Sequence, residues 1–227
     1  MGLNHIFPTP IYTIRADGKK LNEIQDELWG VYNKINMQHL PFCPDAHDVS
    51  TDKEGNFFRG CLLQAYSCKY FLAFLDHSIK SYIHSIEHSQ TTMHNDKQMG
   101  LHWDGKNEYT ITESWFTRTK KGMYAPHHNH GDSDISGVYY LDTNGEDGRI
   151  KILSPNRYFV GNFIYGLTTR GGEQSIKLQN GVLGLWPSIL DHSTEANETD
   201  HDRISLSFNI VMNENALTSN NKEHKYY

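Results

Sequence analysis

The sequence predicts an α+β fold that is mainly β: a double-stranded β-helix, or cupin-like jelly roll, with N-terminal helices packed on one face. Apolar residues near the N-terminus recur at the three- and four-residue spacing of amphipathic helices. After residue 108 the pattern changes to short runs rich in β-branched and aromatic residues, each closed by Gly, Asn, Asp or Pro. The length of 227 residues fits as well, because all-β barrels and sandwiches often reach roughly 200–250 residues as one unit.

We therefore expect a single domain over residues 1–227. Residues 1–107 supply an extended element and helical support, residues 108–212 form the jelly-roll core, and residues 213–227 form a polar tail. Hydrophobic residues make up 37% of the chain and aromatic residues 12%, which is sufficient for a packed core.

The N-terminal elements follow from local patterns. Residues 6–16 predict a short extended element, and their prolines place it at a sheet edge. The spacing of apolar residues predicts a helix over 19–37 and a second helix over 69–88. Residues 40–60 and 90–107 are polar and read as loops.

Eight β-rich runs follow at intervals of roughly 8–15 residues, a spacing that favours a closed two-sheet β fold over alternating βα units. They occupy residues 109–119, 123–129, 135–142, 149–155, 174–180, 181–187, 189–194 and 203–212.

Composition excludes two classes of protein. The net charge is −6 and the densest basic cluster is the short TKKG at 119–122, so a nucleic-acid partner has no electrostatic support. No apolar run approaches the ~18 residues of a membrane-spanning helix. The N-terminus also lacks the pattern of a secretory signal.

The three cysteines, Cys43, Cys61 and Cys68, are an odd number in a chain without an export signal. This indicates free thiols and a cytoplasmic location. A zinc site that combines them with His47 is an alternative, but the spacings match no usual zinc motif.

A histidine cluster is the strongest chemical signal. His127, His128 and His130 lie close together, and His192 follows after a long interval. On a strand, His128 and His130 would project to the same side, and His127 to the other. Imidazole binds iron, copper, zinc and nickel. Three ligand sets remain open: His128, His130 and His192; His130, Asp132 and His192; or His128 and His192 with water. A histidine-rich loop without a metal is the fourth possibility.

The last predicted strand adds an anion-binding feature. Alternation places Arg203, Ser205, Ser207 and Asn209 on one face and only apolar residues on the other. Solvent-facing strand surfaces tend to carry Lys and Glu, whereas Arg203 is the single charge here, so this face can line a cavity. An arginine holds a carboxylate through two hydrogen bonds, and Tyr140 on a neighbouring strand can add a third.

These residues resemble the 2-oxoglutarate/Fe(II)-dependent dioxygenase superfamily, more narrowly its bacterial and phage members with an HxH before SGVYYL. The resemblance is best over residues 109–210 and is carried by four motifs in order: FPTPIY, ESWFTRTKKGMYAPHHNHGDSDISGVYYL, GVLGLWPSILDHS and RISLSFN.

The resemblance implies particular roles. His128 becomes the first iron ligand and His192 the last, and the position of the usual acidic ligand is taken by His130, with Asp132 as the alternative. Arg203 is similar to the arginine that pairs with the C5 carboxylate of 2-oxoglutarate. Ser205, Tyr140 and Ser136 resemble residues that border this co-substrate.

The implied function is a 2-oxoglutarate- and Fe(II)-dependent dioxygenase, in the form of a hydroxylase that couples decarboxylation of 2-oxoglutarate to C–H oxidation. Its partners would be molecular oxygen and a small-molecule or side-chain substrate, in the cytoplasm of a bacterium or a phage-infected host cell. The alternative is a cupin-like metal-binding isomerase or small-ligand-binding protein without redox activity. A structural protein with a degenerate site is a third reading.

Overall fold

A computed structural model describes residues 9–39, 47–55, 57–58, 60–93, 102–103, 109–155, 172–213 and 217–218. Three helices lie in the N-terminal half of the described chain: α1 (Gly18–Tyr32), α2 (Leu62–Ala65) and α3 (Lys69–Met93). The strands, in chain order, are β1 (Tyr12–Arg15), β2 (Asn36–Gln38), β3 (Asp48–Thr51), β4 (His102–Trp103), β5 (Tyr109–Thr119), β6 (Ile135–Asp142), β7 (Ile150–Leu153), β8 (Glu173–Ser175), β9 (Val182–Pro187), β10 (His192–Thr194), β11 (Arg203–Met212) and β12 (Leu217–Thr218).

Two antiparallel sheets form the body of the fold. The larger sheet has seven strands in the order β1-β9-β6-β11-β5-β3-β2, and the smaller sheet has the order β10-β7-β8. Neighbours in space are mostly distant along the chain, as expected of a jelly roll. The predicted fold class is therefore confirmed, and β1 lies at a sheet edge as its prolines predicted.

The large sheet is buried on both faces. Its strands alternate between two hydrophobic clusters: Tyr139 and Leu206 belong to one, and Tyr140 belongs to the other. The first cluster packs against helices α1 and α3 through apolar side chains that include Ile24, Leu28, Phe71, Leu75 and Ile79. The second cluster lies between the two sheets and includes Ile150, Ile152 and Trp186. The helices thus back one face of the sheet, and the other face is turned toward the small sheet.

Several predicted boundaries were wrong in the N-terminal half. Helix α1 ends at Tyr32, five residues before the predicted end at 37, because the chain leaves the helix through Asn33 and enters β2. The predicted loop over 40–60 contains β3, which is a strand because it pairs with β5 on one side and β2 on the other in the large sheet. Helix α3 continues beyond the predicted residue 88 to Met93.

Two predictions in the C-terminal half also need correction. Residues 123–129 do not form a continuous strand; they make isolated bridges, including one between His128 and His192. Leu217 and Thr218, in the predicted polar tail, pair with Trp103 and His102. By contrast, β5, β6 and β11 have the predicted boundaries.

Within the described residues, no helix has the length and apolar character needed to cross a membrane. The single-domain assignment over 1–227 stays a prediction.

Candidate metal and anion site

Three imidazoles converge at one end of the cavity between the sheets. One nitrogen from each of His128, His130 and His192 lies within 4.8 Å of the others. Backbone bonds create this arrangement: His128 N–H donates to the carbonyl of His192 at 3.0 Å, and His192 N–H donates back at 2.8 Å. The N–H of His130 donates to the carbonyl of Ser188 at 3.0 Å. The segment 128–130 is therefore held alongside the turn that precedes β10.

Two of the rings are oriented by backbone carbonyls. Nδ1 of His128 lies 2.7 Å from the carbonyl oxygen of Pro126, and Nδ1 of His192 lies 2.9 Å from that of Leu190. A carbonyl oxygen only accepts, so each Nδ1 carries the proton and each Nε2 keeps its lone pair. Such a partner fixes the tautomer and orientation of a metal-binding histidine.

Burial keeps two of the three imidazoles neutral. Burial lowers the pKa of His192 to about 3, with a further contribution from His128. Burial likewise lowers the pKa of His130 to about 4, and His128 adds to the effect. At neutral pH these two imidazoles therefore present lone pairs to the space between them.

Asp132 is not part of this cluster. It is exposed, and the group of converging nitrogens does not include its carboxylate. Gly131 intervenes, and Ser133 N–H closes a turn onto the carbonyl of His130, so the chain leaves the cavity before it reaches Asp132. Of the three ligand sets that the sequence left open, the geometry assembles the all-histidine one.

The cavity next to the histidines encloses about 600 Å³ of empty space, its open mouth included. Strands from both sheets line it. All four residues expected to border a co-substrate are in its wall: Ser136, Tyr140, Arg203 and Ser205. Trp115 and Trp186 are there too, with ring centroids 5.8 Å from His130 and 5.2 Å from His192 respectively.

Arg203 is a buried cation that is held by neutral groups. Its side chain donates from Nη1 to the carbonyl oxygens of Asp147, at 2.9 Å, and Gly148, and from Nη2 to Thr119 Oγ1 at 3.0 Å. Within the described residues no carboxylate forms an ion pair with it, although the residue is only 2% exposed. Burial lowers the pKa of Arg203, and nearby Tyr140 and Asp147 partly oppose that effect.

Two of the N–H donors of the Arg203 guanidinium have no partner in the described structure. The group has five N–H donors, and the three bonds above use both hydrogens of Nη1 and one of Nη2. The Nε–H of Arg203 is buried and has no partner in the described structure, and one hydrogen of Nη2 also remains. Neighbouring donors of this kind form the fork that pairs with both oxygens of a carboxylate.

Tyr140 and Ser205 flank the arginine. They face each other across β6 and β11, and Ser205 Oγ shares a hydrogen bond of 2.6 Å with Thr117 Oγ1 on β5. Burial raises the pKa of Tyr140 to about 12, while Arg203 opposes the rise. Tyr140 is therefore a neutral phenol at physiological pH.

Ser136 lines the cavity at the end where the histidines lie. It pairs with Asn209 across β6 and β11, six residues along β11 from Arg203, which corresponds to about 20 Å of strand. Its hydroxyl is hydrogen-bonded to Ser188 Oγ at 2.8 Å and Asn209 Oδ1 at 2.9 Å. Ser136 therefore lies on the side of the histidine cluster and supports the turn that anchors His130, away from the arginine.

Sequence reasoning missed several residues of the cavity. His47 lines it, and its pKa is lowered to about 4 by burial, with Arg203 and His128 adding to the effect. The sequence had suggested His47 only as a partner for the cysteines. Thr117 in the cavity wall and Thr119, a hydrogen-bond partner of Arg203, were also missed, although they share the alternation of Trp115 on β5; that periodicity was the available signal.

The cysteine alternative finds no support in the geometry. Cys61 and Cys68 are free thiols, and Ser114 Oγ lies 3.4 Å from Cys61 Sγ. Neither belongs to the metal-competent group found among the described residues. Cys43 lies outside the described residues.

Comparisons with known proteins agree with this geometry. Residues 113–209 match the model of a family described as "Putative 2OG-Fe(II) oxygenase". No curated protein matches the sequence.

Several solved structures share the fold at low sequence identity. HygX from Streptomyces hygroscopicus, solved with nickel, 2-oxoglutarate and hygromycin B, has a TM-score of 0.56 at 14% identity, over 91% of this chain and 84% of its own. The α-ketoglutarate-dependent epimerase SnoN of nogalamycin biosynthesis has a TM-score of 0.56 at 11% identity, over 90% and 78%. A prolyl-4-hydroxylase from Pseudomonas putida has a TM-score of 0.50 at 13% identity, over 90% and 89%.

Proposed function

We propose that this chain is a hydroxylase of the 2-oxoglutarate/Fe(II) oxygenase superfamily and that it binds iron(II) through His128, His130 and His192. In this proposal 2-oxoglutarate is the co-substrate and Arg203 its anchor. The observation that carries the proposal is the pairing of three converging imidazoles with a buried guanidinium that has unpaired donors in the same cavity.

The residues present fit an iron(II) ion. Imidazole nitrogen is a suitable ligand for iron, and the carbonyls of Pro126 and Leu190 leave the Nε2 lone pairs of His128 and His192 available. An all-histidine set supplies no negative charge, so the bound ion keeps its full positive charge. That charge favours an anionic ligand such as a 2-oxo acid.

The residues also fit the second carboxylate of 2-oxoglutarate. An uncompensated buried cation is costly, and the unpaired Nε–H and Nη2 hydrogens of Arg203 match a bidentate carboxylate. Tyr140, a neutral phenol, can donate to the same group. A simple sugar-isomerase or sensor site would have no need of this arginine, so the geometry favours the oxygenase over the cupin-like alternative.

When bound, iron(II) and 2-oxoglutarate supply an oxidative decarboxylation that releases carbon dioxide and divides dioxygen between succinate and the hydroxylated product. The protein positions the parts and controls access to them. Trp186 packs beside His192 and Trp115 beside His130, so aromatic walls limit water around the metal. His47 and Thr117 complete the wall near the arginine.

The substrate is a small molecule or a side chain that enters from the mouth of the cavity together with oxygen. We also propose a cytoplasmic location, which is supported by the free thiols of Cys61 and Cys68 and by the need of an iron(II) site for reducing surroundings.

The direct test is turnover. Protein loaded with iron(II) is incubated with 2-oxoglutarate, ascorbate and oxygen, alone and with candidate substrates, and succinate is quantified. We expect succinate above the level of a His192→Ala control. Succinate no higher than in that control, with every candidate substrate, would contradict the oxygenase assignment. Equal affinity of the wild type and Arg203→Ala for 2-oxoglutarate would favour the cupin-like alternative.

A further inference from the structure

The turn at residues 143–148, between β6 and β7, delivers two backbone carbonyls to the guanidinium of Arg203. The carbonyl of Asp147 accepts from Nη1 at 2.9 Å, and the carbonyl of Gly148 accepts from the same nitrogen. Thr119 Oγ1 holds Nη2 from the opposite side at 3.0 Å. These three acceptors determine the direction in which the remaining Nε–H of Arg203 points.

The Asp147 carboxylate closes this turn instead of pairing with Arg203. It is completely buried and accepts from Thr143 Oγ1 at 2.6 Å and from the N–H of Asn144 at 2.9 Å. It also lies 3.0 Å from Nδ1 of His201. Thr143 Oγ1 in turn accepts from the N–H of Gly145 at 3.0 Å. The turn is therefore held by its own side chains.

The turn orients the guanidinium of Arg203 without neutralising its positive charge. If the Asp147 carboxylate contacted Arg203, it would form an ion pair and occupy the fork that a ligand needs. Because only the neutral carbonyls of Asp147 and Gly148 contact Nη1, the guanidinium is oriented while its charge stays available. The Asp147 carboxylate is hydrogen-bonded within the turn, and these bonds hold the two carbonyls in position.

Gly148 is required by the close approach of the turn to the backbone of Glu195 and to the side chain of Arg203. Its φ is +89°, and a Cβ there would lie 3.1 Å from Arg203 Nη1 and 2.4 Å from the carbonyl oxygen of Glu195. Gly145 in the same turn has a φ of +88°, but a Cβ there would meet nothing closer than the carbonyl oxygen of Leu178 at 3.9 Å. A substitution at either glycine would strain the backbone, but only at Gly148 would the new Cβ also press against the Glu195 carbonyl and Arg203.

We propose that the turn at 143–148, held closed by Asp147 and Thr143, is a positioning element for Arg203 that makes the site select dicarboxylic over monocarboxylic 2-oxo acids. The inference rests on the proposed function, because it takes Arg203 as the anchor of the second carboxylate. Asp147, Gly148 and Thr143 act through Arg203 and do not contact the co-substrate themselves.

The first test compares two glycine variants in binding. Wild type, Gly148→Ala and Gly145→Ala are loaded with nickel(II), which has no turnover, and titrated calorimetrically with 2-oxoglutarate and 2-oxopentanoate. The second compound keeps the chain length and the 2-oxo acid but lacks the distant carboxylate. We expect Gly148→Ala to weaken 2-oxoglutarate binding at least tenfold relative to Gly145→Ala, with 2-oxopentanoate binding equal in the two variants.

The second test keeps the glycines and removes a hydroxyl. Thr143→Val deletes the donor to Asp147 without changing charge, and Thr143→Ser retains it. We expect Thr143→Val to lower the preference for 2-oxoglutarate over 2-oxopentanoate severalfold, and Thr143→Ser to restore it. A purely structural role would lower the melting temperature and weaken both ligands alike.

The outcomes separate this inference from the proposed function. If the wild type binds both compounds equally, Arg203 is not the anchor and the proposed function fails. If the wild type prefers 2-oxoglutarate but Gly148→Ala and Gly145→Ala show the same preference as each other, the positioning role is overturned while the proposed function stands. Equal preferences in Thr143→Val and Thr143→Ser would likewise overturn the role of the Asp147 carboxylate.

Discussion

His128 and His192 form a hydrogen-bonded antiparallel pair, with backbone N–H to O distances of 3.0 and 2.8 Å. Residues opposed in this way direct their side chains to the same face, and the centroids of the two imidazoles lie 4.3 Å apart. The candidate metal site is therefore built on a main-chain contact between two segments that are distant in sequence. His130 joins them through the carbonyl of Ser188.

The choice of the third ligand can be tested by metal affinity. We expect His130→Ala to weaken nickel(II) binding by more than the roughly 10- to 100-fold loss that follows when a ligand loses its hydrogen-bond partner, since a whole ligand is removed. Asp132→Ala should bind as the wild type does, because Asp132 is exposed and outside the cluster. Calorimetric titration of the metal-free proteins measures both, with exposed His127→Ala as a further control. A larger loss in Asp132→Ala than in His130→Ala would contradict the all-histidine set.

Arg203→Lys should show whether binding of 2-oxoglutarate needs only a positive charge at this position or also the geometry of the guanidinium. Lysine keeps the positive charge but lacks the planar fork and cannot reproduce the bonds to Asp147, Gly148 and Thr119. A lost charged hydrogen bond costs about 1.5–3 kcal/mol, so we expect 2-oxoglutarate to bind nickel-loaded protein about 10- to 100-fold more weakly. Nickel affinity itself should not change. Wild-type affinity for 2-oxoglutarate in Arg203→Lys would show that charge alone suffices.

Gly137→Ala should destabilise the fold through overpacking. A Cβ at Gly137 would lie 2.3 Å from Phe208 Cζ and 2.9 Å from Leu185 Cδ2, and both neighbours are fully buried. Forcing a methyl group into a packed core costs typically about 1–3 kcal/mol. Urea denaturation should show that loss in the free energy of unfolding. Gly30→Ala is the matched control, because a Cβ in that part of helix α1 meets nothing within 4 Å.

Asp48→Asn should reveal a pH-dependent contribution to stability. Burial acts to raise the pKa of Asp48, but the hydrogen bonds and charges of Lys120 and Arg118 outweigh it and leave the pKa below its usual value. A lowered pKa in the folded state means that the stabilisation is complete above the unfolded value of about 3.9 and is lost as the pH falls through the folded value.

The measurement is urea denaturation of the wild type and Asp48→Asn at pH 7 and at pH 3. We expect the wild type to be the more stable at pH 7 and the difference to shrink at pH 3. Asp200→Asn is the control, since the Lys121–Asp200 pair is largely exposed and should add little. A difference between wild type and Asp48→Asn that does not depend on pH would contradict the ion-pair interpretation.

Local patterns were sufficient for three long strands of the large sheet. The boundaries of β5, β6 and β11 match the predicted ones, because period-two alternation between two buried faces leaves little freedom of register. The placement of Arg203 and Ser205 in a cavity wall followed from that alternation. The spacing of the histidines, together with the order of four motifs, predicted the family whose model matches residues 113–209.

Tertiary structure decided what depends on pairing between distant segments. Residues 123–129 have no regular strand geometry, yet His128 faces the cavity because its backbone pairs with His192. His47 joins the wall because β3 pairs with β5, and no local pattern encodes that contact. The choice of His130 over Asp132 depends on a turn at Gly131. The Nε–H of Arg203 has no partner among the described residues, because the turn at 143–148 offers carbonyls to Nη1 while the Asp147 carboxylate is hydrogen-bonded within the turn. Sequence periodicity indicates which side chains share a face of a strand. Which residues from other strands and turns those side chains contact is determined only when the two sheets pack together.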